Sequence, residues 1–235
     1  MITADKIHEL AGKKQTTELN IRREYVQNLF LSYFYQQKET DKVFFKGGTA
    51  LRIIYGSPRF SEDLDFSAAY FGVKEIEEAI LNALNEIQRE NIKVVLRESK
   101  KTSGGFLALV EFDGISINLQ VSLREGEKRG EALTVVNDFI PPYTIISLSK
   151  DQLVEEKMQA LFSRQKPRDF YDLYFMLRAN LIPIDRRNFL KKALGMLEKT
   201  SINFRKELEQ FLPHSQWPII KNFKSVLQRE LQRFI

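Results

Sequence analysis

Phe45-Lys46-Gly47-Gly48-Thr49-Ala50-Leu51, followed shortly by Arg59-Phe60-Ser61-Glu62-Asp63-Leu64-Asp65-Phe66, is the stretch that decides how this chain reads. Taken as a strand, the second segment alternates its side chains between two faces. Ser61, Asp63 and Asp65 then share one face, and Phe60, Leu64 and Phe66 share the other. Two carboxylates two residues apart on one face repel each other, so folding alone does not select them. A divalent cation resolves the conflict, because Mg²⁺ takes oxygen ligands and is commonly held by one or two carboxylates plus substrate phosphates. Upstream, Gly47-Gly48 lets backbone N–H groups approach a phosphate at a turn from strand to helix. The combination reads as a metal-dependent nucleotide site, with Mg²⁺ or Mn²⁺ as the expected ion.

The remaining composition sets bounds. At 235 residues the chain suffices for one large domain or two small ones. With 43% apolar and 29% charged residues it is ordinary for a folded protein. No apolar run approaches the length needed to cross a bilayer, and Met1-Ile2-Thr3-Ala4-Asp5-Lys6 lacks a signal-peptide core, so a cytoplasmic location is expected. The absence of cysteine excludes disulfides and thiolate zinc sites, and His8 and His214 are isolated from any ligand set. A net charge of +5 points weakly to a polyanionic partner such as RNA.

Periodicity supplies the organisation. Apolar residues at helical spacing mark residues 16–38, and their aromatic stripe reads as core or interface. Val43-Phe44-Phe45 is a short buried strand leading into Gly47-Gly48, and residues 49–55 read as a helix ended by Gly56-Ser57-Pro58. After the 59–66 strand comes an amphipathic helix over 74–90, then extended segments at 92–98, 105–112 and 115–123. In the last, Ile115, Ile117, Leu119, Val121 and Leu123 alternate with Ser116, Asn118, Gln120 and Ser122. Pro141-Pro142 marks a joint beyond which everything reads helical. The expected domains are 1–145 and 146–235, with a short amphipathic helix in the first fifteen residues and further ones at 186–198, 202–211 and 216–234.

The helical half carries polar signals of its own. Ser149-Lys150-Asp151-Gln152 reads as a capping-box start. On the helix that follows, Lys157 sits among Val154, Met158 and Leu161, where an ammonium must find an anion or bend out to water. Pro167 suits the first turn of the next helix, and Asp169 and Asp172 fall one turn apart on its surface. Arg52, Arg59, Arg124, Arg164, Lys166 and Arg168 are candidate phosphate or RNA contacts, against a default of exposed solubilising charge.

Gly47-Gly48-Thr49, Ser61-Glu62-Asp63-Leu64-Asp65, the stretch 119–125, Glu156-Lys157-Met158-Gln159-Ala160-Leu161 and Arg168-Asp169-Phe170-Tyr171-Asp172 follow one another in order. Together they resemble the AbiEii/AbiGii toxin family of nucleotidyltransferases, the toxin halves of type IV toxin–antitoxin and phage-abortive-infection pairs, which includes the MenT toxins. The resemblance implies an α+β fold, a DNA-polymerase-β-like mixed sheet with an appended C-terminal helical domain. It also implies an enzyme that takes a nucleoside triphosphate and transfers the nucleotide to RNA, with a tRNA 3′ end as acceptor. On the same footing, Asp63 and Asp65 hold the metal ions, and Gly47, Gly48 and Ser61 or Thr49 hold the phosphates. Lys157 neutralises charge and Asp169 completes the site, with Lys46, Arg59, Gln120, Asp172 and Arg168 as further candidates. A cognate antitoxin, a winged-helix protein encoded alongside, is the implied partner.

The chain departs from that pattern at one position. Family members commonly carry a third carboxylate on the strand beside the Asp-x-Asp strand, and Gln120 aligns there, with Asn118 the next polar residue on its face. An amide ligates weakly through oxygen and cannot accept a proton from an attacking hydroxyl; Glu111 on the preceding strand is a substitute by type. Alternative readings are an NTP-binding protein without transfer, transfer to a protein or small-molecule hydroxyl, and phosphoryl rather than nucleotidyl transfer.

Overall fold

The computed structural model describes residues 2–38, 40–68, 72–123 and 127–235. The candidate Arg124 and the Arg124-Glu125 end of the 119–125 motif lie outside them. The chain divides into two compact units, one of Met1–Ile54 with Phe60–Ser149, the other of Tyr55–Arg59 with Lys150–Ile235. The expected division at 145/146 falls inside a strand of the first unit, described below.

In the first unit, helix α1 (Ala4–Lys13) starts where the Thr3 side chain accepts from Lys6 N, and it buries Ile7, Leu10 and Ala11 at helical spacing. Thr17 caps α2 (Glu18–Phe34) in the same way. Then follow β1 (Val43–Lys46), α3 (Gly47–Tyr55), β2 (Leu64–Ala68), α4 (Val73–Arg89), β3 (Val94–Thr102), β4 (Gly105–Phe112), β5 (Ile115–Ser122), β6 (Gly130–Val135) and β7 (Tyr143–Leu148). The strands form a seven-stranded mixed sheet in the order β3-β4-β5-β2-β1-β7-β6. β1 runs antiparallel to β2 and parallel to β7, while β2 runs parallel to β5.

The core explains this arrangement. α2 and α4 pack on each other and on the sheet. Phe30 and Phe34 of α2 stack with ring centroids 5.5 Å apart, and Phe66 meets both Phe34 and Phe45. The aromatic stripe of α2 is therefore core. On β5, Ile117, Leu119 and Val121 are buried while Ser116, Asn118 and Gln120 are exposed, as the alternation requires. The helices thus cover one face of the sheet, and the polar face is left for Lys46, Asp65 and Gln120. These three stand in one row, because Lys46 registers with Asp65 on β1/β2 and Asp65 with Gln120 on β2/β5.

Three expectations change. The chain after Pro141-Pro142 forms β7 before any helix, pairing with β6, which the sequence reading leaves unassigned. β2 begins only at Leu64, so Ser61 and Asp63 precede the strand and face-sharing by alternation does not apply to them. The 216–234 helix breaks at Asn222, which has φ −124° and ψ 36°.

The second unit is helical: α5 (Lys150–Arg164), α6 (Pro167–Arg178), α7 (Asn188–Lys199), α8 (Phe204–Leu208), α9 (Trp217–Lys221) and α10 (Phe223–Phe234). Its centre is aromatic, with Phe223 5.7 Å from Tyr171 and 5.0 Å from Phe204, ring centre to ring centre. The Lys224 ammonium donates to the carbonyls of Glu198 and Thr200, closing the C-terminal end of α7.

Candidate active site

The site of the first unit grows from the β1–α3 turn. Gly47 has φ +85°, a conformation that disfavours any side chain. A Cβ there would also stand 2.8 Å from Asp65 Cβ and Cγ and nearer still to its Oδ2, so the Asp65 carboxylate occupies the space a side chain would need. Glycine is therefore required twice over, by torsion and by room. Gly47, Gly48 and Thr49 form the first turn of α3, whose free N–H groups and dipole favour negative charge.

The segment leading to β2 is pinned residue by residue. Phe60 is buried, and the Arg52 guanidinium lies 3.4 Å from the centre of its ring. That guanidinium also donates from Nε to Glu24 Oε1 at 2.6 Å. The Ser61 carbonyl accepts from Gln27 Nε2 at 2.9 Å, and Glu62 pairs with Arg23 at 2.8 Å. Thr49, itself buried, donates its hydroxyl to the Asp63 carbonyl at 2.5 Å. Thr49 thus touches the site through Asp63. Asn118 Nδ2 donates to Asp63 Oδ1 at 2.9 Å, which joins β5 to the acidic pair. Gln27 was not foreseen as a site residue; Arg52, read from the sequence as a candidate phosphate or RNA contact, is paired with Glu24, and Asn118 was read only as the polar neighbour of Gln120. The one signal in the sequence was Asn118's place on the polar face of β5.

The donor set suits a hard divalent ion. Asp63 and Asp65 are half-buried and supply carboxylate oxygens, and the chain has no cysteine. Among the described residues no three His, Cys, Asp or Glu converge into a metal cluster. A cation held here would complete its shell with phosphate oxygens and water, the usual habit of Mg²⁺. Gln120 stands beside Asp65 in register, exposed, and Glu111 is engaged with Arg97 at 3.1 Å.

The remaining candidates belong to the second unit, where the structure sorts them differently from the sequence. Asp169 is buried at the start of α6, accepting from Lys166 N at 3.1 Å and from Arg164 Nη2 at 2.6 Å. Its carboxylate closes the helix start. Asp172, one turn on, meets Lys157: Nζ donates to Oδ2 at 2.7 Å. Arg59 grips the same carboxylate as a fork, Nε to Oδ1 at 2.8 Å and Nη2 to Oδ2 at 3.0 Å. Burial alone would raise the Asp172 pKa, but Arg59 and then Lys157 outweigh it and hold it at about 2. Arg168 pairs with Glu207 at 3.3 Å.

A seven-stranded mixed sheet with an acidic pair set against a Gly-Gly helix start has the architecture of a nucleotidyltransferase. The chain matches the crystal structure of JHP933 from Helicobacter pylori with a TM-score of 0.67 at 19% identity, covering 93% of each chain. A second H. pylori structure, provisionally assigned as a nucleotidyltransferase, matches with a TM-score of 0.60 at 18% identity, over 93% of this chain and 99% of that one. At such identities the likeness shows the fold. The sequence itself goes further: residues 29–233 match the family described as nucleotidyl transferase AbiEii toxin, type IV TA system, and the chain belongs to that family. No curated protein matches it. Among the described residues no helix is long and apolar enough to cross a membrane.

Proposed function

We propose that the protein transfers a nucleoside monophosphate from an NTP to a hydroxyl of an RNA acceptor, a tRNA 3′ end by family pattern, as the toxin of a type IV pair. The observation that carries this is the Asp65 carboxylate set over Gly47 at the start of α3, with Asp63 fixed beside it by Thr49 and Asn118. Bound Mg²⁺ or Mn²⁺ would supply charge neutralisation at the triphosphate. The N–H groups at Gly47 and Gly48 receive the phosphates, and the Ser61 hydroxyl stands in the pinned segment as a further donor. Lys157 remains the proposed source of positive charge, with Asp169 acting through the α6 start. In the reaction the acceptor hydroxyl oxygen forms a bond to the α-phosphorus and gives up its proton to solvent. The bond from that phosphorus to the β-bridging oxygen breaks, and pyrophosphate leaves with the electron pair. The protein's part is positioning and electrostatics.

An RNA acceptor is supported by the distribution of charge. The first unit holds 18 Lys and Arg against 21 Asp and Glu, and the second holds 18 against 10. The whole basic surplus lies in the helical unit, as expected of a polyanion partner. The family's pairing also supports an antitoxin partner.

The test incubates the protein with Mg²⁺, each α-³²P-labelled NTP and total tRNA, beside Asp63→Ala. Label in RNA that vanishes in the variant is expected. A second reading, NTP binding without transfer, draws on Gln120, an amide beside Asp65 where a proton acceptor would be useful. NTP bound with no pyrophosphate released would favour it. Label in protein or a small product, or release of nucleoside diphosphate, would overturn the RNA nucleotidyl reading.

A further inference from the structure

Residues 60–62 precede β2, and all three trace back to one stretch of α2. Glu24 grips Arg52, whose guanidinium lies on the Phe60 ring; Gln27 donates to the Ser61 carbonyl; Arg23 pairs with Glu62. Gln27 is the tether that packing explains least. It is 2% exposed in the middle of a helix whose neighbours Val26, Leu29, Phe30 and Leu31 are buried and apolar. An amide buried there costs free energy unless it is matched, and one neutral hydrogen bond returns only about 1 kcal/mol. Ser61 is half-exposed, so water could serve its carbonyl without Gln27. What water cannot supply is a fixed direction. The carbonyls of Ser61 and Asp63, two residues apart, accept from Gln27 of α2 and Thr49 of α3. Side chains thus do here what a neighbouring strand's N–H groups do in a ladder.

We propose that Gln27 is a positioning residue of the candidate site, fixing the Ser61 peptide so that the Ser61 hydroxyl and the Asp63 carboxylate are aimed at a metal–nucleotide complex. Gln27 is buried too deeply to touch a ligand and acts through Ser61. Affinity for the metal ion therefore depends on a helix that supplies no ligand to it. The proposal rests on the nucleotidyltransferase reading of that site.

The test titrates Mn²⁺ calorimetrically into the full-length chain, with an NTP analogue whose α,β bridge is a methylene to prevent turnover, and records melting curves alongside. Gln27→Met, an apolar side chain of the same length, is expected to weaken Mn²⁺ binding about tenfold or more. Its melting temperature should shift little, since one neutral hydrogen bond is lost and the space stays filled. Gln27→Asn, one methylene short of the carbonyl, should give a smaller loss and carries the test should Gln27→Met fail to fold. Asn28→Leu is the control. Asn28 is the next buried amide on α2, and it accepts from Tyr143 Oη of β7 at 2.8 Å. Its loss should lower the melting temperature and leave Mn²⁺ affinity intact. Equal Mn²⁺ affinity in Gln27→Met and the unaltered chain overturns the proposal. So does a loss of affinity in Asn28→Leu as large as in Gln27→Met, which would make α2 a matter of stability alone. Both results leave the nucleotide reading standing, whereas an unaltered chain that binds no Mn²⁺ with the analogue overturns that reading and the proposal together.

Discussion

Each unit of the molecule carries a pair of aspartates within a few residues of each other, and the two pairs are handled in opposite ways. Asp169 and Asp172 of the helical unit are buried, and each takes a guanidinium, with Lys157 added on Asp172. Asp63 and Asp65 of the sheet unit are half-buried. Asp63 is met by the neutral amide of Asn118, and Asp65 lies over the start of α3. A carboxylate locked to a cation has its charge consumed by the fold, whereas Asp63, met by a neutral amide, would keep its charge for an incoming ion. In sequence the four look alike; their partners separate them.

The sharpest way to break this contrast is at the sheet unit. Asp65→Ala should reduce nucleotide transfer by about a thousandfold or more while the melting temperature barely moves, because it removes charge stabilisation confined to the reacting state. An equal loss from Asp169→Ala, in protein that remains folded, would erase the distinction. Gly47→Ala should be nearly as damaging to transfer, by displacing the Asp65 side chain and straining a φ of +85°. Retained activity there would mean the Asp65 position is not needed.

Stability sharpens the contrast from the other side. Phe66→Ala, in the aromatic core beneath the sheet, should cost about 3–5 kcal/mol in a chemical-denaturation experiment. Asp172 gives a pH signature: its folded pKa lies at about 2, below the usual carboxylate range. A depressed pKa contributes stability that is fully present above the unfolded value, about 4, and is lost as pH falls toward 2. The contribution is on the order of 2 kcal/mol, so acid unfolding of Asp172→Asn should be flatter across that window. An unchanged slope would place the acid sensitivity elsewhere. The smallest effect concerns the basic surplus. Lys191→Gln, on an exposed turn of α7, should leave melting unchanged and lower the salt dependence of RNA binding by about one unit of log–log slope. No change in slope would remove this lysine from the RNA surface.

The geometry of the candidate site was legible where it is contiguous. Gly47-Gly48 and Asp63-Leu64-Asp65 announce themselves because turn torsion and paired charge are local properties, and β5 because its alternation is complete. What depends on distant partners was not legible. Nothing near Arg59 in sequence points to Asp172, and Asp169 and Asp172 are equivalent by spacing until Arg164, Lys157 and Arg59 choose between them. The loop of Ser61 and Asp63 mimics a strand in pattern because its anchors, Gln27, Thr49 and Asn118, lie elsewhere in the chain. β6 is a largely exposed edge strand with no apolar period, and β7 was masked by the double proline before it.

Five residues, Tyr55–Arg59, belong with the helical unit although the sheet unit's chain surrounds them on either side. The consequence concerns modularity. A gene cut at residue 150 would not release two independent modules, since the amino-terminal product would keep Arg59 and forfeit the acid that neutralises it. The carboxyl-terminal product would keep Asp172 with Lys157 alone. Recombination that swaps the helical half between relatives would therefore have to carry a compatible residue 59 with it, so inheritance of the two halves is coupled through one guanidinium.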